Sequence, residues 1–333
     1  PGTDPVWALG AVLEVLGGQH VPFVPELPAR GPGADMIGRA AAVLVDLPVD
    51  LQPSGWRLVD APGRDQSRAG SFWRQDVDTL AERADGYTGL FTIALAGPWT
   101  LAASLQRSRG EVALADPGAR RDIGQSFAQG VVDLLGQLSR AVPGAAWLVQ
   151  LDEPSLPDVL RGGISTASGF GRLPAVESPE VRLGISHVAD RAREAGAVAV
   201  ALHCCHPDAP VGFMAASGAE VVGADGRPGQ GDTASRHWEA LAAAVEAGRR
   251  LALGVVDARD PATGLSPVDA GRADARAIAA AWRRIGLPPA AMSGLGVTPV
   301  CGLAGSSPGA AVAVLRRVVA AAEALAEFSE DAP

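Results

Sequence analysis

Short apolar runs recur along the chain, and longer stretches with apolar residues at helical spacing lie between them. Short runs bounded by polar turns are typical of buried strands, and the amphipathic stretches are typical of helices. The predicted strands are Gly89–Ala96, Ala146–Leu151, Gly196–Leu202, Glu220–Ala224, Arg250–Val256 and Met292–Val297. Helices are predicted between most of them, and this alternation predicts a parallel sheet with crossover helices.

Two further strands complete the predicted sheet, one directly before Pro53 and one before Pro1. Eight parallel strands that alternate with helices predict an α/β fold of the (β/α)8 TIM-barrel type, which we favour over a doubly wound sheet. The proline-rich stretch Val21–Pro28 is predicted to be a stiff loop that shapes a pocket. Since the composition shows no break, residues 1–333 are predicted to form a single catalytic domain.

Composition narrows the classes of function. The net charge of −9, without a basic stripe, argues against nucleic acid or an anionic membrane as a partner. No uncharged apolar span reaches the roughly 18 residues that a transmembrane helix needs. The three cysteines, two of them adjacent, suit thiol or metal chemistry in a reducing compartment, so we predict a cytoplasmic location. The absence of lysine excludes Schiff-base and pyridoxal-phosphate chemistry on a lysine amine.

Polar side chains collect where the predicted strands end. In a parallel barrel the carboxyl ends of all strands meet at one mouth, and the active sites of this fold lie there. Residues that are far apart in sequence therefore converge without a linear motif. The residues concerned are Thr100, Asp152, Glu153, His203, Cys205, Asp225, Asp257 and Cys301.

The residues His203, Cys205 and Cys301 predict a metal site. Side chains alternate along a strand, so His203 and Cys205 point to one face and Cys204 points to the other. Imidazole and thiolates bind Zn²⁺, and three protein ligands with one weak or exchangeable position are typical of catalytic zinc. The candidates for the fourth ligand are Asp225 and Glu220. Such a centre would hold a substrate thiol as a thiolate; the alternative is that the cysteines are buried apolar residues.

Two other motifs allow both a functional and a structural interpretation. Asp152 and Glu153, adjacent at a strand end, can bind an amine, transfer protons or cap the next helix. Pro154 follows them at a helix start and favours capping for one of the two. The stretch Gly97-Pro-Trp-Thr100 is either a substrate loop or a tight turn that opens a helix. The glycines match no phosphate-binding or dinucleotide-binding fingerprint.

Several short motifs, taken together and in order, carry a family resemblance. They are Gly97-Pro-Trp-Thr100, Gln150-Leu-Asp-Glu-Pro154, His203-Cys-Cys205, Glu220-Val-Val-Gly-Ala-Asp225, Gly254-Val-Val-Asp257 and Pro299-Val-Cys-Gly-Leu303. This series resembles the C-terminal catalytic barrel of cobalamin-independent methionine synthase, among the uroporphyrinogen-decarboxylase-like barrels. The resemblance covers about residues 90–305, and Pro1-Gly-Thr is similar to the end of the family's Gly-Ser-x-Pro loop.

The resemblance implies a reaction and a set of site residues. The reaction would be methyl transfer to the sulfur of homocysteine, giving methionine, with 5-methyltetrahydrofolate or a methyl-corrinoid protein as the donor. Zinc would be bound by His203, Cys205 and Cys301, and Asp152 would hold the amine of homocysteine. The predicted catalytic residues are Asp152 and Asp257, and the predicted substrate-binding residues are Trp99, Thr100, Asp152 and Glu153.

The sequence departs from the family pattern at three points. The zinc-site glutamate of the family falls at Asp225, whose side chain is one methylene shorter. The family histidine that is the suspected proton donor to the folate falls at Arg259. An upstream glutamate that contacts homocysteine in the family has no evident counterpart.

Other functions remain open at this point. One is a corrinoid-dependent methyltransferase that acts on another small thiol, and a second is a zinc-binding barrel without methyltransferase activity. A decarboxylase of the porphyrinogen type fits less well, because it needs a basic pocket for many carboxylates and no zinc.

Overall fold

Strands and helices alternate along most of the chain in the computed structural model, which describes residues 2–229, 232–258 and 264–330. The helices are α1 (Pro5–Leu16), α2 (Met36–Ala41), α3 (Arg64–Arg83), α4 (Pro98–Ser104), α5 (Pro117–Ala141), α6 (Leu156–Arg161), α7 (Ser178–Glu194), α8 (Val211–Ala215), α9 (Asp232–Glu246), α10 (Pro267–Arg284) and α11 (Pro308–Glu330). The strands are β1 (Val49–Gln52), β2 (Gly55–Leu58), β3 (Leu90–Ala96), β4 (Ala146–Asp152), β5 (Ala197–Cys204), β6 (Val221–Asp225), β7 (Arg250–Val256) and β8 (Gly296–Pro299). The strands predicted from residue 89 onward correspond to β3 through β8, although β8 begins late because Pro289–Gly294 form a 3-10 helix.

One parallel sheet contains β3 to β8 in the order of the sequence. Every connection therefore steps in the same direction across the sheet, whereas a doubly wound sheet reverses its strand order partway. The predicted α/β class and parallel sheet are confirmed, and the sequential winding is that of a barrel. Closure into eight strands is not seen in the described residues, so the complete (β/α)8 barrel stays a prediction.

The segment next to β3 differs from the one we predicted. Phe23 forms a parallel bridge with Thr92; the Val24 amide donates to the Thr92 carbonyl at 3.0 Å, and the Thr92 amide donates to the Pro22 carbonyl at 2.9 Å. A proline-rich stretch predicted to be a loop thus runs beside the sheet as an extended segment. The strand predicted before Pro53 exists as β1, but it pairs antiparallel with β2 in a separate hairpin.

Apolar side chains fill the space between the sheet and its helices. Along β3 the side chains of Phe91, Ile93 and Leu95 are fully buried, and Phe91 packs against Trp147 with 5.3 Å between ring centroids. The buried face of α5 repeats at helical spacing, through Ile123, Phe127, Val131, Leu134 and Leu138. No helix within the described ranges has both the length and the apolar character needed to span a bilayer.

Candidate active site at the carboxyl edge of the sheet

Asp152 and His203 contact each other across neighbouring strands. They pair in register at the ends of β4 and β5, and Nδ1 of His203 lies 2.7 Å from Oδ1 of Asp152. Gln150 Nε2 donates to the same oxygen at 2.8 Å. Because a carboxylate only accepts hydrogen bonds, Nδ1 carries the hydrogen, and Nε2 keeps its lone pair in the neutral ring. Burial lowers the pKa of His203, but its hydrogen bond to Asp152 and the charge of Asp152 outweigh burial and raise it.

A glycine on the next strand makes room for the imidazole ring. Gly223 of β6 pairs in register with His203. A Cβ atom at Gly223 would lie 3.0 Å from Cδ2 and 3.1 Å from Cβ of His203. A side chain at this position would therefore crowd the ring and require it to shift by a few tenths of an ångström.

The two thiols predicted to bind metal are neighbours. A hydrogen bond between the Cys205 and Cys301 side chains, together with burial, raises the pKa of Cys205 well above its usual range. Cys301 is exposed at the surface, and Cys205 is half-buried. Cys204, by contrast, is fully buried in the apolar core, and burial raises its pKa to about 12. The predicted alternation of these cysteines is therefore confirmed.

The chemistry of this donor set fits Zn²⁺. Among the described residues, no group of three or more His, Cys, Asp and Glu side chains is arranged so that it could hold a metal ion. His203 is nevertheless close enough to Cys301 for the cysteine to affect its pKa, and Cys205 contacts Cys301 directly. A histidine with a carboxylate behind it and two thiols beside it provide the ligand types of catalytic zinc. The zinc site therefore stays a prediction, which the chemistry of His203, Cys205 and Cys301 supports.

Asp225 and Asp257 are joined by an arginine that the sequence analysis overlooked. Asp225 ends β6 at the level of Cys205, and its Oδ2 accepts from Nη2 of Arg227 at 2.7 Å. Nη1 of the same guanidinium donates to Oδ2 of Asp257, also at 2.7 Å. Arg227 therefore neutralises part of the charge of both carboxylates. The roles predicted for Asp225 in metal binding and for Asp257 in catalysis stay predictions.

Glu220 is removed from the candidates for the fourth zinc ligand. It directly precedes β6, and its carboxylate accepts from the Val200 amide and from Nε of Arg193, each at 2.8 Å. Five strand residues, at about 3.3 Å each, separate it from the carboxyl edge. The sequence pattern located Glu220 on the correct strand but at the wrong end of it.

Glu153, Trp99 and Thr100, which are predicted to bind substrate, make structural contacts with their neighbours. Glu153 is fully buried and accepts from the Trp99 amide at 2.9 Å, the Thr100 amide at 2.7 Å and the Thr100 hydroxyl at 2.6 Å. Its carboxylate therefore caps α4. The Trp99 ring is also buried and donates to the Val181 carbonyl at 2.9 Å. These polar groups bind one another in the core, and the substrate contacts predicted for Trp99, Thr100 and Glu153 stay predictions.

Replacing Glu153 with glutamine is expected to lower the free energy of unfolding by about 1–3 kcal/mol, since the new amide NH₂ group would face backbone donors. Burial raises the pKa of Glu153 to about 7, so urea unfolding should be measured at pH 8, where the carboxylate is formed. Asp116→Asn is the matched control, because Asp116 caps α5 at the surface through the Ala119 amide at 3.0 Å. Equal losses in the two variants would contradict a special role for the buried cap.

Glu26 is a site residue that the sequence analysis missed. It follows the segment that pairs with β3, and its side chain is 29% exposed. Its Oε1 atom is nevertheless buried without a hydrogen-bond partner. Burial raises the pKa of Glu26 to about 7; Arg39 opposes this shift, and the charge of Asp152 adds to it. The charge of Asp152 therefore reaches Glu26, which makes Glu26 a candidate neighbour of the Asp152 site.

The register places both carboxylates toward the same edge of the sheet. Phe23 pairs with Thr92, so Glu26 follows the paired segment in the direction of the carboxyl end of β3, where Ala96 pairs with Asp152. The available signal was a carboxylate at the end of an extended apolar segment, as at the end of β4, but the prolines around Glu26 concealed the segment.

One predicted departure cannot be placed in this geometry. Arg259, where the resemblance puts the suspected proton-donor histidine, lies outside the described residues. The correspondence of Arg259 with the family histidine therefore rests on the resemblance alone.

Comparison with known proteins agrees with the fold and with the family resemblance. Residues 25–324 match the family model described as the catalytic domain of cobalamin-independent synthase. A search of curated proteins found no match. The structure of a B12-independent methionine synthase from Shewanella sp. W3-18-1, in complex with selenomethionine, has a similar fold, with a TM-score of 0.50 and 16% identity over 81% of this chain and 70% of that chain. Because the family model spans most of the sequence, the chain belongs to the cobalamin-independent synthase family and is an enzyme of the methionine-synthase type.

Proposed function

We propose that the protein transfers a methyl group to the sulfur of homocysteine and releases methionine. One observation carries the proposal: Asp152, which contacts the proposed zinc ligand His203, also raises the pKa of Glu26 through its charge. The carboxylate of Asp152 would thus serve both the group that binds the thiol, through His203, and the group that binds the amine, Glu26. Homocysteine has both a thiol and an amine, separated by a short carbon chain.

The amine would be held by Glu26 and Asp152. Two carboxylates at one strand edge attract an ammonium group, and hydrogen bonds between charged groups are the stronger kind in proteins. The buried Oε1 of Glu26 supports this role, because it makes no hydrogen bond, Arg39 Nε at 3.8 Å lies beyond hydrogen-bond distance, and a ligand ammonium would supply the missing donor. This arrangement selects an amino-acid thiol over a simple thiol.

The sulfur would be held by zinc bound to His203, Cys205 and Cys301. Zinc supplies a site at which a substrate thiol loses its proton near neutral pH. Asp152 fixes the His203 ring with Nε2 available, and Gly223 gives the ring its space. In the reaction, the sulfur lone pair forms the new S–C bond while the bond from the methyl carbon to the donor breaks, and the donor keeps that electron pair and takes up a proton.

The methyl donor we propose is 5-methyltetrahydrofolate. The family is defined by independence from cobalamin, which disfavours the methyl-corrinoid alternative. The donor nitrogen needs a proton as the methyl group leaves. Asp257, at the end of β7, is the candidate residue for positioning the proton donor. Its partner Arg227, at 2.7 Å, keeps its charge at every working pH.

Zinc analysis followed by titration with homocysteine tests the proposal. We expect one zinc per chain and release of about one proton when the thiol binds, because the bound sulfur becomes a thiolate. Methionine should then form with 5-methyltetrahydrofolate and not with methylcobalamin. Turnover with methylcobalamin alone would support a corrinoid-dependent enzyme, and zinc binding without any thiol binding would support a zinc-binding barrel without activity.

A further inference from the structure

A buried arginine lies behind Glu26. Arg39 is 1% exposed, and its Nε lies 3.8 Å from Oε1 of Glu26. Its guanidinium stacks on Trp73, with Cζ at 3.6 Å from the ring centroid, and Trp73 Nε1 donates to the Arg39 carbonyl at 2.9 Å. Nε and Nη2 of Arg39 are buried without hydrogen-bond partners. An immobile positive charge with unused donors therefore lies next to a carboxylate of the amine pocket.

The charges behind Glu26 alternate in sign. Nη1 of Arg39 contacts Oδ2 of Asp76, and Arg30 donates to both oxygens of Asp76 at 2.7 and 3.0 Å. The side chains of Arg30 and Asp76 are 5% and 4% exposed. Two arginines and Asp76 leave one uncompensated positive charge, and an ionised Glu26 balances it. Burying an unbalanced charge is costly, so the cluster favours the carboxylate form of Glu26.

Other acidic groups act in the opposite direction. Asp35, which caps α2, together with Asp76 on α3 and Asp152 on β4, raises the pKa of Glu26 by like-charge repulsion. Burial raises it further, and Arg39 is the group that lowers it. Without Arg39, every neighbouring influence would drive Glu26 toward its protonated form, which does not attract an ammonium group as a carboxylate does.

We propose that Arg39 is a positioning residue of the amine pocket, which keeps Glu26 ionised and directed at the substrate ammonium without touching the substrate. The inference rests on the proposed function for the identity of the ligand, and on the geometry above for the dependence of Glu26 on Arg39. Asp76, held from its other side by Arg30, fixes Arg39 in turn.

Two measurements on the zinc-loaded chain test this inference. The first follows the titration of the Glu26 carboxyl group by carbon-13 NMR with labelled glutamate, assigned by the signal that Glu26→Gln removes. In Arg39→Met the midpoint of the Glu26 titration should rise by at least about one pH unit. In Arg39→Lys the midpoint should lie close to that of wild type, because lysine keeps the positive charge. An unmoved titration would overturn the inference, whether or not homocysteine binds.

The second measurement is the dissociation constant for homocysteine at pH 7.5. We expect Arg39→Met to raise it by at least about threefold, because a one-unit rise from a pKa of about 7 lowers the ionised fraction of Glu26 at pH 7.5 from roughly three quarters to one quarter. In a Glu26→Gln background, Arg39→Met should change the dissociation constant for homocysteine less than twofold, because Arg39 would act only through Glu26. Equal losses in both backgrounds would assign Arg39 a merely structural role. If wild type binds no homocysteine, the proposed function fails, and the carbon-13 titration still decides the link between Arg39 and Glu26.

Arg39→Met also leaves Asp76 with one arginine fewer, so folding is checked by thermal unfolding of each variant. If Arg39→Met does not fold, Arg39→Gln replaces it, because glutamine keeps a donor toward Asp76 and lacks the charge. The expected upward shift of the Glu26 titration is the same, and an unmoved titration again overturns the inference.

Discussion

Replacing Cys301 with serine is expected to lower the affinity for zinc by about 100-fold or more and to abolish methyl transfer. Zinc bound by a full protein ligand set is worth roughly 10–16 kcal/mol, so the loss of one thiolate removes a few kcal/mol. A serine hydroxyl does not replace it, since zinc prefers thiolate, imidazole and carboxylate ligands. Zinc affinity should be measured by competition with a chromophoric chelator, and methionine formation by a direct product assay.

Cys204→Ala provides the matched control for this experiment. Cys204 is adjacent to Cys205 but fully buried in the apolar core, so its replacement should leave zinc affinity unchanged within about threefold. The two substitutions separate metal binding from the general loss of a thiol. Stoichiometric, tightly held zinc in Cys301→Ser would rule out the ligand set of His203, Cys205 and Cys301.

The same measurement of zinc affinity tests whether Asp225 is the fourth zinc ligand. Asp225 is held by Arg227 at 2.7 Å, so Asp225→Asn should change zinc affinity by less than about tenfold, the lower range of effects for groups outside the ligand set. A loss as large as that of Cys301→Ser would show that Asp225 leaves Arg227 and binds the metal.

Asp152→Asn is expected to weaken homocysteine binding by about 100-fold, because it removes one of two charges that face the substrate amine. No sequence pattern connects Asp152 with the metal. The 2.7 Å contact with Nδ1 of His203 predicts that zinc affinity also falls, by about 10- to 100-fold, as for other carboxylates behind a zinc-bound histidine. Homocysteine binding should therefore be measured by calorimetry at saturating zinc.

Glu26→Gln is the control that separates the two effects of Asp152. Glu26 is proposed to bind the amine and is not one of the proposed zinc ligands, so its replacement should weaken homocysteine binding and leave zinc affinity unchanged. Homocysteine binding by Asp152→Asn that equals wild type would end the assignment of Asp152 to the amine. Unchanged zinc affinity in the same variant would show that the contact with His203 does not support the metal.

The alternation of apolar runs with amphipathic stretches was sufficient to predict β3 to β8 and the parallel sheet. Periodicity follows from the backbone geometry of each element, so it is visible within a few residues. Polar residues that end those strands could be predicted for the same reason, and Asp152, His203, Asp225 and Asp257 do lie at the carboxyl edge of the sheet. The alternating faces of Cys204 and Cys205 also follow from strand geometry alone.

Three-dimensional contacts decided which of these residues face the site and which face the core. Glu153 follows Asp152 directly, yet it turns inward to cap α4, because the Trp99 and Thr100 amides lie beside it. The position of Glu26 depended on pairing between Pro22–Val24 and β3, which proline-rich sequence conceals. Such pairings join residues distant along the chain, so no local pattern encodes them.

The sequence by itself determined the elements, their order and the kinds of chemical group at the strand ends, because these depend on local spacing and composition. Only the tertiary structure decided that Asp152 supports His203, that Arg227 contacts Asp257, and that Arg39 lies behind Glu26. Each of these is an electrostatic contact between side chains from different elements, and its strength depends on distance and burial, which arise only when the chain is folded.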